Sequence, residues 1–144
     1  MTADGATGHV VITGGGGGIG RAMARLFLAQ GARVSLLDRS GARLADSVDA
    51  MAAPDRVAGF EVDVADEASV NVAVAAARKK FGAADVLVNN AGVVLRGVPV
   101  AEIAPATWQW ILGVNFFGAV NMVRAVLPDM QARGSGHIVN MASI

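Results

Sequence analysis

A chain of 144 residues, 53% apolar and 17% charged, has the length of one domain and an apolar share typical of strands covered on both faces. Its 12 Lys and Arg balance its 12 Asp and Glu, and the one basic run, Arg78-Lys79-Lys80, is too short for a nucleic-acid footprint, so no nucleic-acid partner is expected. It contains no cysteine, which excludes disulfide scaffolds and thiolate metal sites, and His9 and His137 have no ligand-like spacing, so no metal is expected.

Met1 to Gly5 lack the basic and apolar regions of a secretory signal, which points to a cytoplasmic protein. Residues 9–13 form a β-branched run that ends in glycines, a first strand. Residues 18–30 read as a helix with Ile19, Ala22, Met23, Leu26 and Phe27 on its inner face, stopped by Gly31. Residues 33–37 form a second strand that ends at Asp38, and Ser40 caps a helix running to about Met51. Residues 56–62 form a third strand ending at Asp63. Asp66 caps a helix to Phe81, with Val70, Val74, Ala77 and Phe81 on one face and Gly82 as the stop.

Residues 85–88 form a fourth strand that leads into Asn89-Asn90-Ala91-Gly92. A loop with Pro99 and Pro105 precedes a long helix over residues 107–133, and residues 137–141 make a fifth strand. Residues 103–123 carry no charge, but Pro105, Thr107, Gln109, Asn115 and Asn121 make the stretch too polar for a lipid-facing helix. It reads as a helix buried on several sides, with no membrane partner. Strands alternating with helices predict an α/β fold: a doubly wound parallel sheet of Rossmann type, about five strands, forming one dinucleotide-binding domain over residues 1–144.

In that arrangement Gly14, Asp38, Asp63, Asn90 and Ser143 each follow the carboxyl end of a different strand, the edge where open α/β sheets bind ligands. The run Thr13-Gly14-Gly15-Gly16-Gly17-Gly18-Ile19-Gly20 joins a strand to a helix start. A pyrophosphate needs close backbone approach and free N–H donors at such a start, and glycine removes the side chains that would obstruct it. Read alone, the run is equally a flexible turn without a ligand. Asp38 lies 18 positions after Gly20, near the roughly 20-residue spacing of an acid that binds the adenosine ribose. Its carboxylate would accept from both ribose hydroxyls and repel a 2′-phosphate, favouring NAD over NADP; the neighbouring Arg39 could instead pair with that phosphate. Asp63 could accept from an adenine amino group, and its plain alternative is a turn acid. Small residues at Asn90, Ala91 and Gly92 let the backbone pass close to a cofactor, though the pattern also fits an ordinary turn.

Taken in order, Thr-Gly-x-x-x-Gly-x-Gly, Asp38, Asp63-Val64 and Asn89-Asn90-Ala91-Gly92 resemble the short-chain dehydrogenase/reductase family. The resemblance extends to Asn115 in Val114-Asn115-Phe116-Phe117-Gly118 and to Ser143, so it spans nearly the whole chain. It implies an oxidoreductase that interconverts a small-molecule alcohol and a carbonyl by hydride transfer with NAD, NADP being possible. Thr13, Gly14, Gly16, Gly17, Gly18, Ile19, Gly20, Asp38, Arg39, Asp63, Val64, Asn90, Ala91 and Gly92 would then bind the cofactor. By the same resemblance Ser143 is the serine that hydrogen-bonds the substrate oxygen, and Asn115 the helix asparagine that holds a proton-relay water. On the residues alone, Ser143 is equally a strand-end cap and Asn115 a locally bonded helix residue.

The family's acid/base tyrosine, in a Tyr-x-x-x-Lys motif, lies beyond the serine. This sequence contains no tyrosine and continues one residue past Ser143. The expectation is therefore a truncated, cofactor-binding portion that is inactive by itself, incomplete on the C-terminal side of its sheet. The full-length form would be a homo-oligomer, dimer or tetramer. A nucleotide-binding module without catalysis is the alternative, and an epimerase or dehydratase on the same fold ranks behind both.

Overall fold

The computed structural model describes residues 8–142. Five strands, β1 (His9–Thr13), β2 (Arg33–Asp38), β3 (Val57–Glu61), β4 (Val86–Asn89) and β5 (His137–Asn140), form one sheet in the order β3-β2-β1-β4-β5. Every neighbouring pair is parallel; Ile12 of β1 sits opposite Leu36 of β2 and Val88 of β4. The strand order reverses between β1 and β4, which makes their carboxyl ends the switch point of the sheet.

The helices are α1 (Gly18–Ala29), α2 (Gly41–Asp49), α3 (Glu67–Phe81), α4 (Pro105–Leu112) and α5 (Gly118–Arg133). Because successive strand residues point to opposite faces, the central strands feed two cores. Val10 and Ile12 pack with Ala24, Leu28, Leu36 and Leu44 under α1 and α2, while Val11, Leu37 and Leu87 pack with Val70, Ala73, Met122 and Val126 under α3 and α5. The fold is thus doubly wound, as the alternating pattern predicts, and each fully buried Leu, Ile or Val contributes about 1.5–3 kcal/mol.

The helix starts and stops follow the expected chemistry. The Ser40 side chain accepts from the Arg43 N–H at the start of α2, and Asp66 accepts from Ala68 at the start of α3. Gly82 ends α3 at φ 87, a conformation open to glycine.

Two expectations need correction. In α1, Ile19 and Leu26 are 63% and 66% exposed, and the buried stripe is Gly20, Ala24 and Leu28. The tight packing of Gly20 against the preceding turn sets the rotation of the helix, so the i, i+4, i+8 series from Gly20 faces the sheet whatever the bulkier neighbours prefer. Met23 and Phe27 are only partly buried. The second correction concerns the long helix. It begins at Pro105 and is divided by a π-helical turn, Gly113–Phe117. It is also covered on one side rather than several: α4 has no buried residue, and α5 buries Gly118, Met122, Val126 and Met130. By length and composition alone, Pro105–Arg133 would suffice to cross a membrane.

Candidate functional site

The glycine turn lies at the switch point and is closed from below by its own neighbours. A Cβ on Gly14, whose φ is +68, would stand 2.8 Å from Asn90 Nδ2, one on Gly15 2.7 Å from Leu36 Cβ, and one on Gly16 2.8 Å from Arg43 Cβ. A Cβ on Gly20 would overlap the Gly14 carbonyl oxygen. These glycines are demanded by the chain's own packing. Gly18 is different, since a Cβ there would meet nothing within 4 Å, and Gly17 is nearly as free. The open side of the turn is therefore the start of α1. No side chain caps that start and its first turn carries no acid, so the positive end of the helix dipole faces outward. The arrangement fits a pyrophosphate, because it offers backbone donors, a favourable dipole and, at Gly17 and Gly18, no side chain in the way.

Thr13 braces the turn from the sheet. Its Oγ1 accepts from the backbone N–H groups of Asn90 and Ala91, each at 2.9 Å, and Asn90 Nδ2 donates to the Thr13 carbonyl at 2.9 Å. The Asn-Asn-Ala-Gly segment is thereby pinned to the glycine turn, with Gly92 exposed beyond it. One strand further, Asn89 Nδ2 donates to Asn140 Oδ1 at 2.9 Å and bridges β4 to β5. Asn89 Oδ1 is buried and has no partner among the described residues. It lies beside a cleft of about 60 Å³ that Thr13, Ala91, Asn115 and Asn140 also line. A larger groove of about 420 Å³, between α3 and α5 at Val74, Arg78 and Asp129, lies toward the opposite edge of the sheet.

Asp38 ends β2 with its side chain 8% exposed. Oδ2 accepts from the Gly16 N–H at 3.0 Å; Oδ1 accepts from the Ser40 N–H at 3.0 Å and from Arg43 Nη2 at 3.1 Å. The carboxylate thus joins the glycine turn to the start of α2. Arg39 points into solvent, 74% exposed, with Nε 3.9 Å from Asp63 Oδ2. Asp63 is bound into its own turn, its Oδ1 accepting from the Ala65 N–H. Val64 is buried in the core against Gly118 and lines the small cleft beside Asn89. Asn115 stands on the π turn and makes two bonds to one residue: Oδ1 accepts from the Val93 N–H and Nδ2 donates to the Val93 carbonyl, both at 2.8 Å. Ser143 lies outside the described residues.

The structure therefore gathers Thr13, Gly14, Gly16, Gly17, Gly18, Ile19, Gly20, Asp38, Asn90 and Ala91 around one turn. Arg39 and Asp63 form a looser pair at its flank, and Asn115 reaches Val93 by way of the π turn. The sequence pattern does not mark Arg43 as part of the site. Its signal was its place, five residues after Asp38 in the first turn of a helix, but only coordinates reveal which way a long side chain bends.

A parallel sheet with helices on both faces, a glycine turn at the switch point and an acid at the end of β2 define a Rossmann-type α/β domain. The profile described as short chain dehydrogenase matches residues 8–144, and the chain belongs to that family. It is 42% identical over 143 residues to 2-(R)-hydroxypropyl-CoM dehydrogenase of Xanthobacter autotrophicus, covering 93% of this chain and 55% of that one. Among solved structures, a short chain dehydrogenase/reductase from Burkholderia phymatum in complex with NAD superposes with a TM-score of 0.90 at 37% identity, covering 95% of this chain and 49% of that one. A 3-ketoacyl-(acyl-carrier-protein) reductase from Brucella melitensis complexed with NADH gives a TM-score of 0.90 at 34% identity, covering 97% and 59%. The chain spans about half the length of the relatives it matches.

Proposed function

We propose that this chain is the cofactor-binding portion of an NAD(P)-dependent oxidoreductase that interconverts a small-molecule alcohol and a carbonyl. The observation that carries the reading is the uncapped start of α1 above a glycine turn locked to Asp38. A bound nicotinamide would supply the hydride acceptor or donor. The chain's own work is to hold the pyrophosphate on the first-turn N–H groups of α1 and the ribose hydroxyls on Asp38. The flank of Arg39 and Asp63 would hold the adenine, and Ala91 and Gly92 would leave room for the backbone of the cofactor. By likeness to the family, Ser143 would bond the substrate oxygen, and Asn115 would hold a relay water from its anchored position at Val93. The full-length protein would be cytoplasmic and homo-oligomeric, and would use neither nucleic acid nor membrane.

A nucleotide-binding module without catalysis is the second reading. Titration with NADH, followed by nicotinamide fluorescence, tests what both readings share; a folded sample that binds neither NADH nor NADPH would sink both. Asp38→Ala should weaken NADH by about tenfold and NADPH by less, as expected for loss of hydrogen bonds to a charged acceptor. A wild-type chain that prefers NADPH would overturn the role given to Asp38. Reading the codons that follow Ile144 separates catalysis from simple binding, because an open frame into Tyr-x-x-x-Lys supports the first reading and its absence the second.

A further inference from the structure

We propose that Arg43 sets the cofactor preference of this site by acting as the displaceable partner of Asp38, an inference that rests on the dinucleotide reading above. A carboxylate offers about four lone-pair positions. Asp38 already receives three donors: the N–H groups of Gly16 and Ser40 and the Arg43 guanidinium. The two amides are fixed by the glycine turn and the start of α2. The third donor ends a rotatable side chain that is 59% exposed. A ribose diol presents two hydroxyls, and one open position cannot receive both. The second hydroxyl takes the place of Arg43.

The displaced guanidinium does not go far. A Cβ on Gly16 would lie 2.8 Å from Arg43 Cβ, so the stem of Arg43 is packed against the turn while its head is held only by Asp38 among the described residues. The head then stands beside the 2′ position of the ribose. Against a 2′-hydroxyl it has little to bind. Against a 2′-phosphate it presents a planar fork of donors. Asp38 and Arg43 thus pull in opposite directions, the acid against the phosphate and the guanidinium for it, and the balance makes the site tolerant of both cofactors. Arg39 contributes less, being 74% exposed and only loosely paired with Asp63.

Calorimetric titration of the whole chain with 5′-AMP and with 2′,5′-ADP reads this balance from the adenosine end alone. Arg43→Met keeps the stem and removes the fork. It should tighten 5′-AMP by about threefold, the scale of a surface ion pair no longer competing, and weaken 2′,5′-ADP by about tenfold. Arg43→Lys, which keeps the charge without the fork, should retain part of the 2′,5′-ADP affinity, and Arg39→Met should change the ratio less than Arg43→Met. Equal changes for both ligands, no change, or a larger shift from Arg39→Met would overturn the role of Arg43 while leaving the dinucleotide reading intact. A folded wild-type chain that binds neither ligand would overturn both.

Discussion

His9 opens the central strand β1, at the amino ends of the strands and remote from the site, and it is 1% exposed. Its Nδ1 lies 2.8 Å from the Gly82 carbonyl and its Nε2 2.8 Å from Ser35 Oγ, with the ring edge-on to Phe81. A carbonyl only accepts, so Nδ1 carries the proton and Nε2 accepts from the serine hydroxyl. The ring thereby ties the end of α3 to β1 and β2 in its neutral form. Burial holds its pKa below the ordinary value of 6.5. Below about pH 6.5 the unfolded chain therefore takes up a proton that the folded chain refuses. Stability from this residue is full above that pH and falls as pH drops toward the depressed folded value, by at most about 1.4 kcal/mol per pH unit. Denaturant melts between pH 7.5 and 5.5 should show a shallower decline for His9→Gln than for the parent chain. Parallel profiles would rule out His9 as the source.

At the scale of elements, the π turn matters because it presents Asn115 to the loop after β4. Residues 94–98 are exposed, and the two bonds from Asn115 to Val93 anchor the start of this loop. Asn115→Ala should cost about 1 kcal/mol, the typical worth of such bonds, and should speed amide exchange in this loop more than in β4. Uniform exchange across both segments would contradict a local anchor.

The strands, caps and glycine stops were legible in the sequence because each depends on neighbours a few residues away. The run of Asp66 through Gly82 is an example, with cap, apolar face and terminator all local. The rotation of α1 was not legible, since contact between Gly20 and Gly14 outweighs the pull of Ile19 and Leu26. Nor was the division of the long helix, where Gly113 and Gly118 bracket a change of hydrogen-bond period without any proline between them. In the site, the glycine turn and Asp38 could be read from spacing, and the bracing of strand ends by the Asn89 and Asn90 amides from their place after β4, whereas Arg43 and the paired hydrogen bonds of Asn115 depend on how separate elements meet.

Across the whole molecule, apolar surface is unevenly spread. Trp108, Trp110, Leu112, Phe116 and Phe117 are each at least 41% exposed along α4 and the π turn, and β5 forms one edge of the sheet with Ile138 and Val139 exposed. A free strand edge and a broad apolar helix face both favour association. The chain in isolation is expected to self-associate, and sedimentation velocity over a dilution series should show species larger than a monomer. A monomer that persists at every concentration would count against this.

The clasp at Thr13 also has a consequence in time. Its hydroxyl is met by Asn90 and Ala91, 77 and 78 positions later in the chain. A nascent polypeptide ending at Glu61 already holds the complete glycine motif, Asp38 and α2, yet none of the groups that seize Thr13. Closing so long a loop is entropically slow. The turn is thus fastened in two stages, the bonds from Gly15 to Leu37 and from Gly16 to Asp38 being available as soon as β2 is made, and the Thr13 clasp only once residues 90 and 91 follow.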